Sequence, residues 1–151
     1  MLYFAYGANL SRAHMRLWCP SSVPAGRATL ADHRLAFRVW ADAVPSPGDE
    51  VPGALYRIAA SDLESLDEYE EYPSLVERAR VTVRTESGPV EAFTYRMRAG
   101  RAFAPPADDY LGLIEEGYDD WGIARSLLPM RTEPDGKAAG PETPSWSVEV
   151  P

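Results

Sequence analysis

Alternation of hydrophobic and polar residues predicts β-strands over much of the first hundred positions. The clearest case places Leu35, Phe37 and Val39 on one face and two arginines on the other, as in a half-buried strand. Further strands are expected at 2–6, 27–30, 42–44, 51–58, 79–85 and 90–97. The last two are predicted to form a hairpin, and the proline- and glycine-rich residues 45–49 are predicted to form a turn.

Helix-boundary signals predict four short helices. The first begins at about Ser11, which can cap it, and ends before Pro20. The second opens with a capping box formed by Ser61 and Glu64 and ends before Pro73. Two more helices are expected, at 108–116 and 120–128.

The length and the net charge of the chain limit the number of domains and the kinds of partner. A chain of 151 residues can bury the core of one domain, which we expect over 1–130. The net charge of −8 argues against nucleic acid or an anionic membrane surface as a partner. No apolar run approaches the ~18 residues of a membrane span, and Met1–Phe4 enters a strand directly. We therefore expect a cytoplasmic protein without a signal peptide or membrane partner.

The last part of the chain has a different composition. Residues 131–144 are rich in proline, glycine and charge and show no periodicity. An irregular tail is therefore expected over 131–151. Trp146, Val148 and Val150 alternate with polar residues, which is compatible with a short final strand.

Cysteine and histidine are too few for several kinds of site. Cys19 is the single cysteine, which rules out an internal disulfide and a cysteine-rich metal site. The two histidines, His14 and His33, have no second ligand at metal-binding spacing. We expect neither a metal site nor a Ser-His-Asp triad.

The predicted first strand runs into Gly7, and the first helix begins only a few residues later. A strand that turns sharply over glycine into a helix leaves backbone N–H groups without partners, and these can bind a carboxylate, a phosphate or an oxyanion. Gly7 would allow a positive φ and a close approach of a ligand. The alternative is a buried strand followed by an ordinary turn.

One carboxylate lies on the hydrophobic side of the predicted second helix. At ~100° per residue, Leu63, Leu66 and Glu70 fall on one stripe. Glu68 and Glu71 point away from it. Burial without a fixed cation would raise the pKa of Glu70 and make it a general base or acid for neutral pH. If the last helical turn frays, Glu70 is instead a solvated surface charge.

Four segments carry motifs in a fixed order, Tyr-Gly-Ala-Asn-Leu, Gly-Ala-Leu-Tyr, Leu-Asp-Glu-Tyr-Glu and Pro-Pro-Ala-Asp-Asp-Tyr, at 6–10, 53–56, 66–70 and 105–110. Their order and spacing resemble those of the γ-glutamylcyclotransferase family over about 1–128. The resemblance implies a small mixed α+β fold, in which a closed or nearly closed β-barrel is flanked by short helices and holds a pocket at one end.

The same resemblance implies an acyl-transfer enzyme that cyclises a γ-glutamyl amide to 5-oxoproline and releases an amine or amino acid. The α-amino group of this small-molecule substrate is the nucleophile, so neither a metal nor a cofactor is required. Glu70 would be the catalytic base, and Tyr3 or Tyr6 would line the pocket. The implied substrate-binding residues are Tyr6, Gly7, Ala8, Asn9, Leu10 and Tyr110.

Three positions depart from the family's motifs. Ala8 replaces the usual serine, Glu71 stands where glycine is common, and Val76 stands where an aromatic residue often lies. These departures bear on substrate choice more than on the reaction. Two alternatives stay open: a non-catalytic binding or regulatory protein, and an enzyme of the same fold that removes a γ-glutamyl group from a biosynthetic intermediate. The sequence does not fix the oligomeric state.

Overall fold

The computed structural model describes residues 1–129, in which five strands close into a barrel. The strands are β1 (Leu2–Ala5), β2 (Val23–Arg38), β3 (Trp40–Arg57), β4 (Val76–Thr85) and β5 (Gly88–Met97). They pair antiparallel in the order β1-β3-β2-β4-β5, and a parallel contact between β1 and β5 closes the barrel. The α+β barrel expected from the sequence is confirmed. The predicted tail at 131–151 lies outside the described residues.

Three α-helices flank the barrel, together with two short 3₁₀ helices. The α-helices are α1 (Arg12–Trp18), α2 (Ala60–Glu70) and α3 (Asp108–Trp121). The 3₁₀ helices span Ala8–Leu10 and Arg125–Leu127. As predicted, Ser11 caps α1, and its hydroxyl accepts a hydrogen bond from the backbone N–H of His14. No helix in this part of the chain is long and apolar enough to cross a membrane.

The predicted start of the second helix and the predicted fourth helix are wrong. The helix α2 begins at Ala60, so Ser61 already lies in its first turn and the capping box does not form. A separate helix at 120–128 is also absent from the structure. Instead, α3 continues to Trp121 and ends at Gly122, whose φ of 65° places it in the left-handed region. Only a 3₁₀ turn follows.

β2 and β3 form one long hairpin where the sequence predicted four short strands. The two strands meet at Val39, which has a φ of 71°. Residues 45–49, predicted to form a turn, lie within β3. The register shifts here, so that residues 46–49 of β3 bulge opposite the single residue Asp32 of β2. Asp32 has a φ of 59° and accepts a hydrogen bond from Gly48 N. A bulge absorbs the irregular Pro-Gly segment without ending the strand.

Helix α3 packs directly against the chain that follows β1. Gly117 is buried there, and Trp121 Nε1 donates a hydrogen bond of 2.9 Å to the carbonyl oxygen of Leu10. A Cβ atom at position 117 would lie 2.3 Å from Leu10 Cβ and 2.7 Å from Ser11 N. The helix therefore fixes the position of the strand-to-helix corner that the sequence marks at Gly7.

Replacing Gly117 with Ala should lower the free energy of unfolding by ~1–3 kcal/mol, because the added methyl group has no space beside Leu10. Gly112→Ala on the same helix is the matched control. A Cβ there would meet nothing within 4 Å, so the better helix propensity of alanine should stabilise the protein by ~0.5–1 kcal/mol. Urea unfolding of both variants measures the difference. A Gly117→Ala variant as stable as the wild type would contradict this packing.

Candidate active site

A pocket of about 240 Å³ lies where one end of the barrel meets the corner after β1, the end of α2 and the start of α3. Seven of the residues that the sequence assigned to the site line it: Tyr3, Tyr6, Gly7, Ala8, Asn9, Glu70 and Tyr110. The structure does not bring Leu10 into the pocket. That side chain is fully buried in the core, and its carbonyl oxygen accepts the hydrogen bond from Trp121.

The corner contains the 3₁₀ helix Ala8–Leu10 between β1 and α1. Gly7 has a φ of −113°, so the positive φ expected there is wrong. A Cβ atom on Gly7 would lie 3.2 Å from the hydroxyl oxygen of Tyr110 and 3.3 Å from Ala41 Cβ, so a larger residue would crowd both neighbours. The close approach of a ligand to Gly7 stays a prediction.

A backbone N–H group binds the hydroxyl oxygen of Tyr110. Ala41 N donates to this oxygen over 3.0 Å. Burial raises the pKa of the Tyr110 hydroxyl above its ordinary value. At neutral pH this hydroxyl therefore keeps its proton and can donate a hydrogen bond to another oxygen.

Glu70 is the last residue of α2, and its partly buried carboxylate faces the pocket. Asn9 Nδ2 donates to Glu70 Oε1 over 2.9 Å, and the hydroxyl of Tyr3 lies 3.5 Å from the same oxygen. Burial raises the pKa of Glu70 to about 7, and the hydrogen bond from Tyr3 opposes the rise. The helix persists through position 70, so this carboxylate is not the fraying surface charge considered as the alternative.

An ion pair one turn earlier holds α2 against the barrel. Asp67 accepts hydrogen bonds from Arg78 Nη2 over 2.6 Å and from the hydroxyl of Tyr95 over 2.5 Å. Arg78 belongs to β4 and Tyr95 to β5. Because the helix is tied to two strands at Asp67, the next turn presents Glu70 to the pocket in a fixed position.

Glu71 follows the last residue of α2. Its φ of 58° ends the helix, so the rotation of ~100° per residue that predicts an outward side chain no longer applies at this position. The residue is exposed, and it is also among the residues that line the pocket.

Several lining residues have no signal in the local sequence. Ala41 and Trp40 begin β3 and reach the pocket only because the barrel closes. Tyr95 and Met97 at the end of β5 are further examples. Within residues 1–129 no cluster of three or more His, Cys, Asp or Glu side chains could hold a metal ion.

Comparisons with known proteins agree with this arrangement. Residues 3–121 match the family described as gamma-glutamyl cyclotransferase, AIG2-like. The chain is 34% identical to a gamma-glutamylcyclotransferase of Bos taurus, over 81% of this chain and 72% of that protein. It is 32% identical to a gamma-glutamylcyclotransferase of Homo sapiens, over 93% of this chain and 79% of that protein.

A solved structure described as a gamma-glutamyl cyclotransferase has the same fold. It superposes with a TM-score of 0.80 at 30% sequence identity, over 92% of this chain and 93% of that one. The barrel, the pocket and the ordered motifs therefore occur together in a chain that matches the family over most of its length. This protein belongs to the AIG2-like γ-glutamyl cyclotransferase family of enzymes.

Proposed function

We propose that this protein converts a γ-glutamyl amide into 5-oxoproline and a free amine or amino acid, with Glu70 as general base and then general acid. The observation that carries the proposal is the position of Glu70. Its carboxylate, with a pKa of about 7, shares one pocket with the Tyr110 hydroxyl, which accepts a hydrogen bond from Ala41 N. The names of the relatives support the same general reaction.

The reaction needs a nucleophile that the substrate itself provides. Glu70 takes a proton from the α-ammonium group, and the freed amine attacks the γ-carbonyl carbon to close a five-membered ring. The carbonyl oxygen becomes an oxyanion in the tetrahedral intermediate. The intermediate collapses when the bond to the leaving nitrogen breaks, and the protonated Glu70 returns its proton to that nitrogen. The ring nitrogen then loses its second proton, again through Glu70, so that the products are 5-oxoproline and the amine in its ammonium form. No water is consumed.

Tyr110 and the corner would stabilise the oxyanion. The Tyr110 hydroxyl already accepts from Ala41 N, so its own hydrogen is available to a substrate oxygen. Accepting this N–H group polarises the hydroxyl and makes it a better donor. We infer that Tyr110 binds the substrate by donating this hydrogen bond, in addition to covering the pocket.

Asn9 would orient the base. Its amide nitrogen donates to Glu70 Oε1 over 2.9 Å, which leaves Oε2 to exchange the proton. The same nitrogen donates to the hydroxyl of Tyr3 over 3.2 Å, so both groups beside the base are held in place.

The rate should depend on pH through Glu70. The carboxylate must be deprotonated to act as a base, and burial raises its pKa to about 7. We therefore expect kcat/KM to rise with pH and to reach half of its plateau near pH 7. Initial rates between about pH 5 and 9 measure this. A rate that is flat across this range, or half-maximal near the ordinary glutamate pKa, would contradict the assignment.

Purified protein incubated with a panel of γ-glutamyl amino acids, γ-glutamyl amines and glutathione tests the proposal. Mass spectrometry should detect 5-oxoproline and the released amine in equal amounts from at least one member of the panel. Saturable binding without product from any of them would favour the non-catalytic alternative. A screen of this kind also identifies the leaving group.

A further inference from the structure

The helix that carries Glu70 is also held by contacts with α1. Tyr69, the residue before Glu70, lines the pocket and is partly buried. Its hydroxyl shares a hydrogen bond of 2.8 Å with Nε2 of His14. The Tyr69 ring packs against Trp18, with 4.6 Å between the ring centroids, and against the His14 ring at 5.1 Å. One hydrogen bond and two ring contacts thus join the last turn of α2 to α1.

The contacts at Tyr69 and those at Asp67 lie on different sides of α2. Asp67 is hydrogen-bonded to two strands of the barrel. At ~100° per residue, the side chain of Tyr69 is turned by ~200° from that of Asp67, and Glu70 follows at ~300°. Glu70 therefore lies between the side that is bound to the barrel and the side that is bound to α1. Rotation of the last turn in either direction would disturb one of these two sets of contacts.

His14 belongs to the same short segment as Asn9. The helix α1 begins directly after the corner, and Ser11 caps it by accepting a hydrogen bond of 3.2 Å from the backbone N–H of His14. Asn9, in the corner itself, donates to Glu70 Oε1. This segment therefore holds both Glu70 and the residue before it.

Both groups in the hydrogen bond between His14 and Tyr69 are uncharged at neutral pH. Burial raises the pKa of the Tyr69 hydroxyl and lowers the pKa of the His14 imidazole. The carboxylate of Glu116, on α3, opposes the lowering at His14 but is exposed. A neutral imidazole has one donor and one acceptor nitrogen, and a hydroxyl can both donate and accept, so the bond forms with either tautomer.

We propose that His14 is a positioning residue for the cyclisation, which holds Tyr69 and thereby fixes the Glu70 carboxylate in the pocket. The inference rests on the proposed role of Glu70 as the base, and it adds a residue that does not itself line the pocket. A base must stay within about 0.5 Å of its working position, and the contacts behind it maintain that position. Release of the last turn of α2 would let water reach the carboxylate, which would favour its charged form.

Variants of the two hydrogen-bonded residues test this inference. His14→Leu removes the polar group at position 14, and Tyr69→Phe keeps the ring but removes the hydroxyl. Each should lower kcat by about tenfold with little change in KM, and should move the half-maximal pH of kcat/KM from about 7 to about 6. His14→Gln supplies an amide that can donate or accept near the position of Nε2, and it should restore both values. Arg16→Gln, at an exposed position of α1, is the control and should match the wild type.

The pKa of Glu70 can also be measured without turnover, by NMR of isotope-labelled glutamate carboxyl groups, with Glu70→Gln to assign the signal. His14→Leu and Tyr69→Phe should lower this pKa, and His14→Gln should not. A wild-type Glu70 pKa in both His14→Leu and Tyr69→Phe would overturn the inference, whatever their stability in urea. If the wild type produces no 5-oxoproline, the proposed function fails, and the NMR titration then decides by itself whether His14 and Tyr69 position Glu70.

Discussion

Replacing Glu70 with Gln should lower kcat for 5-oxoproline formation by ~10²-fold or more, the usual loss when a general base is removed. Glutamine keeps the shape of the side chain and can still bond to Asn9, but it cannot take a proton from the α-ammonium group. Binding of the substrate should weaken much less than turnover. Steady-state kinetics, with calorimetric binding to the inactive variant, separate the two effects.

Glu68→Gln is the matched control for this experiment, because the side chain lies on the same helix but outside the pocket. Glu71 cannot serve as a control, since it lines the pocket. Glu68→Gln should turn over at the wild-type rate. Equal losses in both variants would indicate a general effect of negative charge, and an unimpaired Glu70→Gln variant would remove Glu70 as the base.

The stability of the Glu70→Gln variant provides an independent readout of the same residue. Burial raises the pKa of Glu70 from 4.5 to about 7, so the folded state favours the protonated form. The stability that this protonated form provides is full below about pH 4.5 and is lost as the pH rises through about 7. Glutamine does not titrate. The variant should therefore gain stability relative to the wild type as the pH rises between these values, which urea unfolding at several pH values would show.

Acetylation of the substrate's α-amino group should abolish 5-oxoproline formation. An amide nitrogen is not nucleophilic, and the acetyl group removes the proton that Glu70 would take. The matched control is the same γ-glutamyl amide with a free amino group, assayed by mass spectrometry under identical conditions.

Release of the amine from the acetylated substrate at a comparable rate would show that ring closure is not the route. Such a result would point to hydrolysis by water. Substrates linked through the α-carboxyl group should also be poor, because their γ-carboxylate would occupy the place of the reacting carbonyl.

The sequence predicts the parts of the site that depend on local geometry. The stripe formed by Leu63, Leu66 and Glu70 depends only on helical rotation, and α2 persists to Glu70 as that pattern requires. The cap at Ser11 is local in the same sense. The same rule does not extend to Glu71, because the left-handed backbone of that residue ends the helix.

Other parts of the site depend on contacts between residues that are distant in the sequence. Ala41 donates to Tyr110, 69 positions away, only because the hairpin of β2 and β3 and the helix α3 meet at one end of the barrel. Asn9 reaches Glu70 across 61 positions. Neither contact can be predicted from the periodicity of the local sequence. The sequence does not predict the continuous strand through residues 45–49 for a similar reason. The irregular pairing opposite Asp32 of the partner strand accommodates the prolines.

The most direct test of the central claim is the isotopic composition of the products formed from a γ-glutamyl amide in water enriched in heavy oxygen. Ring closure uses no water, so the account predicts unlabelled 5-oxoproline and one equivalent of released amine. Hydrolysis of the same bond would place one heavy oxygen in the carboxylate of free glutamate. Labelled glutamate as the product would contradict the cyclisation that we propose for this pocket.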